Sequence, residues 1–144
     1  MKTTRSYTGD VLMCSRAIAK LVPTEWNEFA AAENEAKLDY EEDYKCLVSE
    51  VNGKQLPSRC ANSRLVKAAR DVVAAVAAKG IPLTVGYIFN EVEASVVFGF
   101  NYQVIDYSLK QSEVQLFESL GLDIDSIYMD STAYLLDSMS YRTK

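Results

Sequence analysis

The sequence predicts an α+β domain, with a helical first half of three helices followed by a small, mainly antiparallel sheet and one or two further helices. Two observations carry this expectation. Apolar residues recur at three-to-four spacing as far as Lys79, and from Leu83 onward the composition turns to Val, Ile, Phe and Tyr in period-two alternation. At 144 residues the chain is sized for a single compact domain, 1–144, that buries roughly two thirds of its unfolded surface. A hydrophobic share of 49% and a charged share of 24% are those of a globular protein rather than a disordered tail.

Asp10 is placed to cap a first helix over 11–22, with Val11, Cys14, Ile18, Leu21 and Val22 on one stripe and Pro23 as its stop. Thr24 opens a second helix that runs to about residue 51. At about 100° per residue, Trp26, Phe29, Ala30, Tyr40, Tyr44, Leu47, Val48 and Val51 fall on one side of it. Glu25, Glu28, Glu35, Asp39, Glu42, Asp43 and Glu50 gather on the other. Glu33 and Lys37 break this pattern by falling inside the apolar arc, which implies a wet mid-helix face, a break near Ala36, or a polar pair in a pocket. Asn52-Gly53 is a turn. Pro57 with Ser58 or Ser63 then leads into a third helix ending at Lys79, closed by Gly80 and Pro82. Its apolar face is Leu65, Ala69, Val72 and Val76, and Arg64, Lys67 and Arg70 lie opposite.

Leu83, Val85, Tyr87 and Phe89 alternate as a strand. Two more strands are expected at 94–100 and 102–107, with Gly99 as a bend and Asn101 as a tight connection. A helix over 91–98 competes with the first of these, because Asn90 and Glu93 have capping-box spacing. Ser108 or Ser112 introduces a helix through Leu120, closed by Gly121, with Val114, Phe117 and Leu120 inward. For 126–140 the residues fit either a terminal helix or two short strands at 126–129 and 133–136.

The chemistry is bounded mainly by exclusion. With no histidine, the commonest general base, the Ser-His and Cys-His pairs and most transition-metal sites are unavailable. Cys14, Cys46 and Cys60 are odd in number and widely spaced, which fits reduced thiols better than a disulfide framework or a zinc site. Glycine-rich phosphate loops are absent. Asp123, Asp125 and Asp130 fail as a calcium loop because Tyr128 and Tyr134 occupy the positions of its glycine and bidentate glutamate. Neither a cofactor nor a metal is expected. Nor does the sequence show a signal peptide or a membrane span, so a cytoplasmic protein is expected.

What remains is the charge distribution. The net charge of −5 conceals an acidic block at 24–50, where nine carboxylates face only Lys37 and Lys45, followed by a basic block that includes Arg59, Arg64, Lys67 and Arg70. The chain is acidic as a whole, which argues against direct nucleic-acid binding. The leading expectation is a small non-enzymatic binding or inhibitor protein, viral or encoded by a mobile element. It would present Glu25, Glu28, Glu35, Asp39, Glu42 and Asp43 to a basic surface of a nucleic-acid-handling protein, by imitating phosphate charge. The alternative is a small enzyme acting on a metabolite with Tyr87, Glu91, Glu93, Tyr102 and Asp106. A third expectation is a homo-oligomer packed through Tyr128, Tyr134 and Tyr141. Whether the basic helix neutralises the acidic stripe within the fold decides how much of that stripe a partner can use.

Overall fold

A computed structural model describes residues 6–53, 63–105, 115, 117–122, 127–128 and 134–135. Its elements are β1 (Ser6–Met13), α1 (Ser15–Leu21), α2 (Pro23–Glu35), α3 (Glu41–Val51), α4 (Ser63–Ala77), β2 (Thr84–Phe89), β3 (Ala94–Ile105), β4 (Ile127–Tyr128) and β5 (Tyr134–Leu135). The fold is α+β, as the sequence predicts. The strands form one sheet in the order β4-β1-β3-β2-β5, with antiparallel pairing throughout.

The first half is not purely helical. Residues 11–13 belong to a strand, so the expected helix over 11–22 shrinks to α1, capped from Cys14 rather than Asp10. The physical reason is non-local: β1 lies against β3 in an eight-residue register from Ser6↔Ile105 to Met13↔Phe98, and that pairing outweighs the weak strand preference of Gly9 and Asp10. Pro23, expected to end the first helix, also begins the next. Its fixed φ suits the first helical position, so Val22 rather than Thr24 is the N-cap of α2.

The expected single helix across 24–51 is two helices. Ala36 closes α2 in an extended conformation, 36–39 have no helical structure, and Tyr40 precedes α3 with φ −125° and ψ 152°. Asp43 then secures the new helix start, its Oδ2 accepting the Tyr40 N–H at 3.1 Å. Glu41, Glu42 and Asp43 in the first turn of α3 meet the positive end of its dipole. The break near Ala36 removes the conflict that a continuous helix would create, because Lys37 falls in the exposed link and not on a buried face.

The third helix is close to its prediction. Leu65, Ala69, Val72 and Val76 are buried on α4, and Gly80 takes φ +99° just beyond its end. Asn52-Gly53 forms the expected turn, with φ +80° at Gly53. In the sheet, the two strands expected at 94–100 and 102–107 are one continuous strand. Gly99 does not bend it, because β3 is held on both sides there, with Gly99 opposite Leu12 and Thr84. The 91–98 helix does not form. Asn90 Oδ1 does accept the Val92 and Glu93 N–H groups at 2.8 Å each, as a capping residue would, but the chain closes a hairpin through Asn90 N–H to the Glu93 carbonyl at 2.9 Å. Of the last segment, β4 and β5 bear out the two short strands. The turn at 117–121 agrees with the expected helix end, with Phe117 buried and Gly121 at φ +77°. The start of that helix at Ser108 or Ser112, and Val114, lie outside the described residues.

Helices cover one face of the sheet. Val85, Tyr87, Val96 and Phe98 alternate onto that face and share a core with Phe29, Leu47, Val48, Leu65 and Val72. Leu12, Ile88 and Val97 form a separate buried cluster, as residues of opposite parity in paired strands should. Among the described residues no helix is long and apolar enough to cross a membrane.

Candidate binding site

A cleft forms where β1 stops short of β3. β1 pairs with β3 only as far as Met13↔Phe98, after which the chain turns at Cys14 into α1. Residues 94–97 of β3 therefore have no β1 partner, although β2 pairs with them on the other side. Backbone groups in an antiparallel ladder point alternately to the two neighbours. The Asn90–Glu93 hydrogen bond sets the phase, so Ser95 and Val97 turn toward β2 while Ala94 and Val96 turn toward the missing strand. Glu33 on α2 supplies what is missing there: its Oε2 accepts the Val96 N–H at 3.4 Å.

The cleft has a volume of about 170 Å³, and its walls include Met13 at the end of β1, Trp26 and Glu33 on α2, and Glu93, Ser95 and Phe98 on the β2–β3 hairpin. The apolar wall is an aromatic group. Trp26 lies 5.3 Å from Phe29 and 6.2 Å from Phe98 between ring centroids, and Phe29 meets Phe98 edge-on at 5.0 Å. The polar wall is acidic. Ser95 Oγ donates to Glu93 Oε1 at 3.2 Å, and among the described residues neither Glu33 nor Glu93 forms a salt bridge.

Burial pushes the Glu33 carboxyl above its ordinary range, and the Val96 N–H pulls it back only in part. Tyr44 is also pushed up, first by burial and then by the charges of Glu33, Asp39 and Asp43. A carboxyl whose folded pKa is raised contributes stability that is complete below the unfolded carboxylate range and is lost as pH rises through the folded value. Glu33→Gln keeps an acceptor for Val96 but removes the titration. The variant is therefore expected to gain on wild type as pH rises from about 4 to about 7. Urea midpoints at the two pH values check this, and a difference that does not change with pH would contradict it.

The carboxylates expected to face a partner are divided between two helices and their link. Arg64 of α4 lies between Glu28 and Glu35, 3.0 Å from Glu28 Oε1 and bonded also to Glu35 Oε2. Those two are engaged within the fold. Lys67 and Arg70 serve elsewhere: Lys67 pairs with Asp71 on its own helix at 2.8 Å, and Arg70 donates to the Glu50 carbonyl at the end of α3 at 2.6 Å. Arg59 lies outside the described residues. Glu25 is half-buried on α2, whereas Asp39, on the link, and Glu42 are exposed. Among the described residues Glu42 has a single long contact of 3.7 Å, to Lys45, and Asp43 caps α3.

The tyrosine and carboxylate group of the alternative reading is dispersed. Tyr87 is 1% exposed, stacks near Tyr44, and donates its hydroxyl to Glu41 Oε2 at 3.0 Å. Glu91 and Glu93 sit at the exposed hairpin tip. Tyr102 is six positions along β3 from Val96, the register partner of Tyr87, a separation of about 20 Å along a strand. Asp106 lies outside the described residues, as do the side chains of Tyr128, Tyr134 and Tyr141. Glu93 alone of this group lines the cleft. Glu33 was marked in the sequence by its place on the apolar arc that also holds Trp26, whereas Ser95 and Phe98, on β3, join it only through the tertiary fold. Among the described residues no three His, Cys, Asp or Glu side chains gather as a metal site. Comparisons with protein families, curated proteins and solved structures give no match, so function has to be argued from these surfaces.

Proposed function

We propose that this is a small non-enzymatic binding protein that captures a basic surface of another protein through the segment 39–43. The observation that carries this reading is Tyr40, 71% exposed between Asp39 and the first turn of α3. A large aromatic ring in the open, flanked by acids that no strong cation claims among the described residues, has the composition of an interface anchor with a steering charge. The acidic block supports the reading in a narrower form than a continuous stripe would, since Arg64 withdraws Glu28 and Glu35. An inhibitor of a nucleic-acid-handling protein in the cytoplasm is the class of role such a surface suits.

The test compares two double variants that change net charge equally. Asp39→Lys with Glu42→Lys alters the proposed surface, and Glu91→Lys with Glu118→Lys alters exposed positions elsewhere. The immobilised full chain should retain a host protein at low salt and release it as screening rises. The first variant should lose that capture by about tenfold or more, and the second should keep it. Equal capture by both variants, or capture indifferent to salt, overturns the reading.

A further inference from the structure

We infer that Asn52-Gly53 is a self-modifying site: the folded joint between α3 and β2 guards it, and opening of that joint lets Asn52 convert irreversibly to aspartate or isoaspartate. The inference is independent of the segment 39–43 and of the cleft, and it stands or falls separately.

The chemistry needs water alone as co-reactant. The Gly53 backbone nitrogen loses its proton to solvent and attacks Asn52 Cγ. The new N–Cγ bond closes a succinimide ring as the Cγ–Nδ2 bond breaks, and Nδ2 takes up a proton and leaves as ammonia. Water then opens the imide. Attack at Cγ gives aspartate, whereas attack at the main-chain carbonyl carbon of residue 52 gives isoaspartate, with the chain running through the former side chain. Glycine suits the second position because, without a Cβ, its nitrogen is unhindered and its backbone is free to reach the closure geometry. The fold does not cover that nitrogen by packing. Gly53 is exposed at φ +80°, and among the described residues a Cβ built on it would meet nothing within 4 Å.

Hydrogen bonds guard the site instead. The Gly53 N–H donates to the Glu50 carbonyl at 3.1 Å, which holds the proton that has to leave. Asn52 Nδ2, the leaving group, donates to the Val48 and Val85 carbonyls at 2.8 and 3.0 Å, and Oδ1 accepts the Val85 N–H at 3.5 Å. Ring closure has to turn Cγ toward Gly53, which breaks these side-chain bonds at a fully buried residue of β2, where a lost partner is costly. The reaction therefore proceeds through a local opening that frees Asn52 from Val85.

Conversion then bars the return. Aspartate sets a negative charge against the two carbonyl oxygens that Nδ2 had satisfied, and isoaspartate also inserts a methylene into the main chain at the end of α3. Neither rebuilds the cap at Val85 at neutral pH. A chain that stays open at this joint loses its native closure for good, so the dipeptide that makes the turn also limits the lifetime of the fold.

The test follows conversion of the full chain at mildly alkaline pH, in buffer and in guanidinium chloride above the unfolding midpoint, with the blocked peptide acetyl-Val-Asn-Gly-Lys-amide as reference. Cleavage after Lys45 and Lys54 releases the peptide 46–54, in which Asn52 is the only side-chain amide. Mass spectrometry and chromatography therefore resolve its asparagine, aspartate and isoaspartate forms without ambiguity. The unfolded chain should convert at the rate of the reference peptide, and the folded chain about a hundredfold more slowly or less. Gly53→Ala, compared only in guanidinium, should slow conversion, which ties the chemistry to the glycine whatever that variant does to the fold. Arg70→Ala removes an exposed donor to the Glu50 carbonyl. It should speed hydrogen exchange of the Val85 amide and conversion of Asn52 by the same factor in the folded chain, with no change in guanidinium. Once returned to neutral buffer, the converted chain should unfold at a lower denaturant midpoint than the unconverted chain. Conversion of the folded chain at the rate of the peptide, no conversion in guanidinium, faster Val85 exchange in Arg70→Ala without faster conversion, or an unchanged midpoint after conversion overturns the inference.

Discussion

Phe29→Ala should lower the unfolding free energy by about 3–5 kcal/mol, the largest effect expected of a single substitution in this fold. Phe29 is 0% exposed and stands between Trp26 on its own helix and Phe98 on β3, so it joins the helical layer to the sheet. Truncation removes its transfer free energy and opens a cavity that the paired strand behind Phe98 cannot easily close. Against a total stability of about 5–15 kcal/mol for a domain, the loss is a large fraction. Urea denaturation measures it, with the midpoint falling and the slope unchanged if the native state remains compact. The contrasting variant is Val92→Ala at the hairpin tip, where the side chain is 95% exposed and the expected change is within about 0.5 kcal/mol. Comparable effects at the two positions would mean that the α2–β3 joint is not where the core is built. The cleft is tied to the same joint, because Trp26 and Phe98 form its wall and both rest on Phe29.

What the sequence revealed depended on whether the signal was local. The apolar face and the closing glycine of α4 were legible because stripe, opposing cations and glycine all belong to one helix, which ends at Ala77, two residues before the expected Lys79. The strand at β1 was not, since Asp10 before Val11 and Cys14 imitates a capped helix and only the register with β3 decides otherwise. Gly99 and Asn101 were misread for the same reason: residues that weaken an isolated strand are tolerated in one held from both sides. Between α2 and α3 the apolar positions remained nearly in phase across the interruption, so two helices looked like one and their acids like one stripe. The misfit of Glu33 was the only local trace of the cleft. Trp26, seven residues earlier, shares its face of α2 by the helical period, but the hairpin comes some sixty residues later, and no periodicity joins it to them. The meeting of acidic and basic helices was visible as blocks of charge, but that Arg64 would take both Glu28 and Glu35 required the α2–α4 packing.

The other end of the sheet has a matching device, and it gives the second large prediction. On the outer side of β2, β5 pairs with Gly86 and Tyr87, and one residue further Asn52 takes over. Its Nδ2 donates to the Val85 carbonyl at 3.0 Å and to the Val48 carbonyl at 2.8 Å, and its Oδ1 receives the Val85 N–H at 3.5 Å. A side-chain amide thus stands where a strand would, as Glu33 does at Val96. Because Val85 is fully buried, Asn52→Ala leaves both of its outward backbone groups unsatisfied and should cost about 1–3 kcal/mol. Asn52→Asp tests the mechanism more sharply. At neutral pH the introduced carboxylate keeps an acceptor for the Val85 N–H but sets a negative charge against two carbonyl oxygens, so it should destabilise more than alanine does. Protonation restores a donor, which raises the folded pKa of that carboxyl above its unfolded value. The stability is then present at low pH and lost as pH rises through the folded value. Urea midpoints for the three chains across the acid range should therefore show the Asn52→Asp chain recovering toward wild type on acidification, with no such recovery in Asn52→Ala beyond the drift of wild type. Parallel pH profiles for the two variants would mean that Asn52 contributes by packing rather than by completing the ladder at Val85.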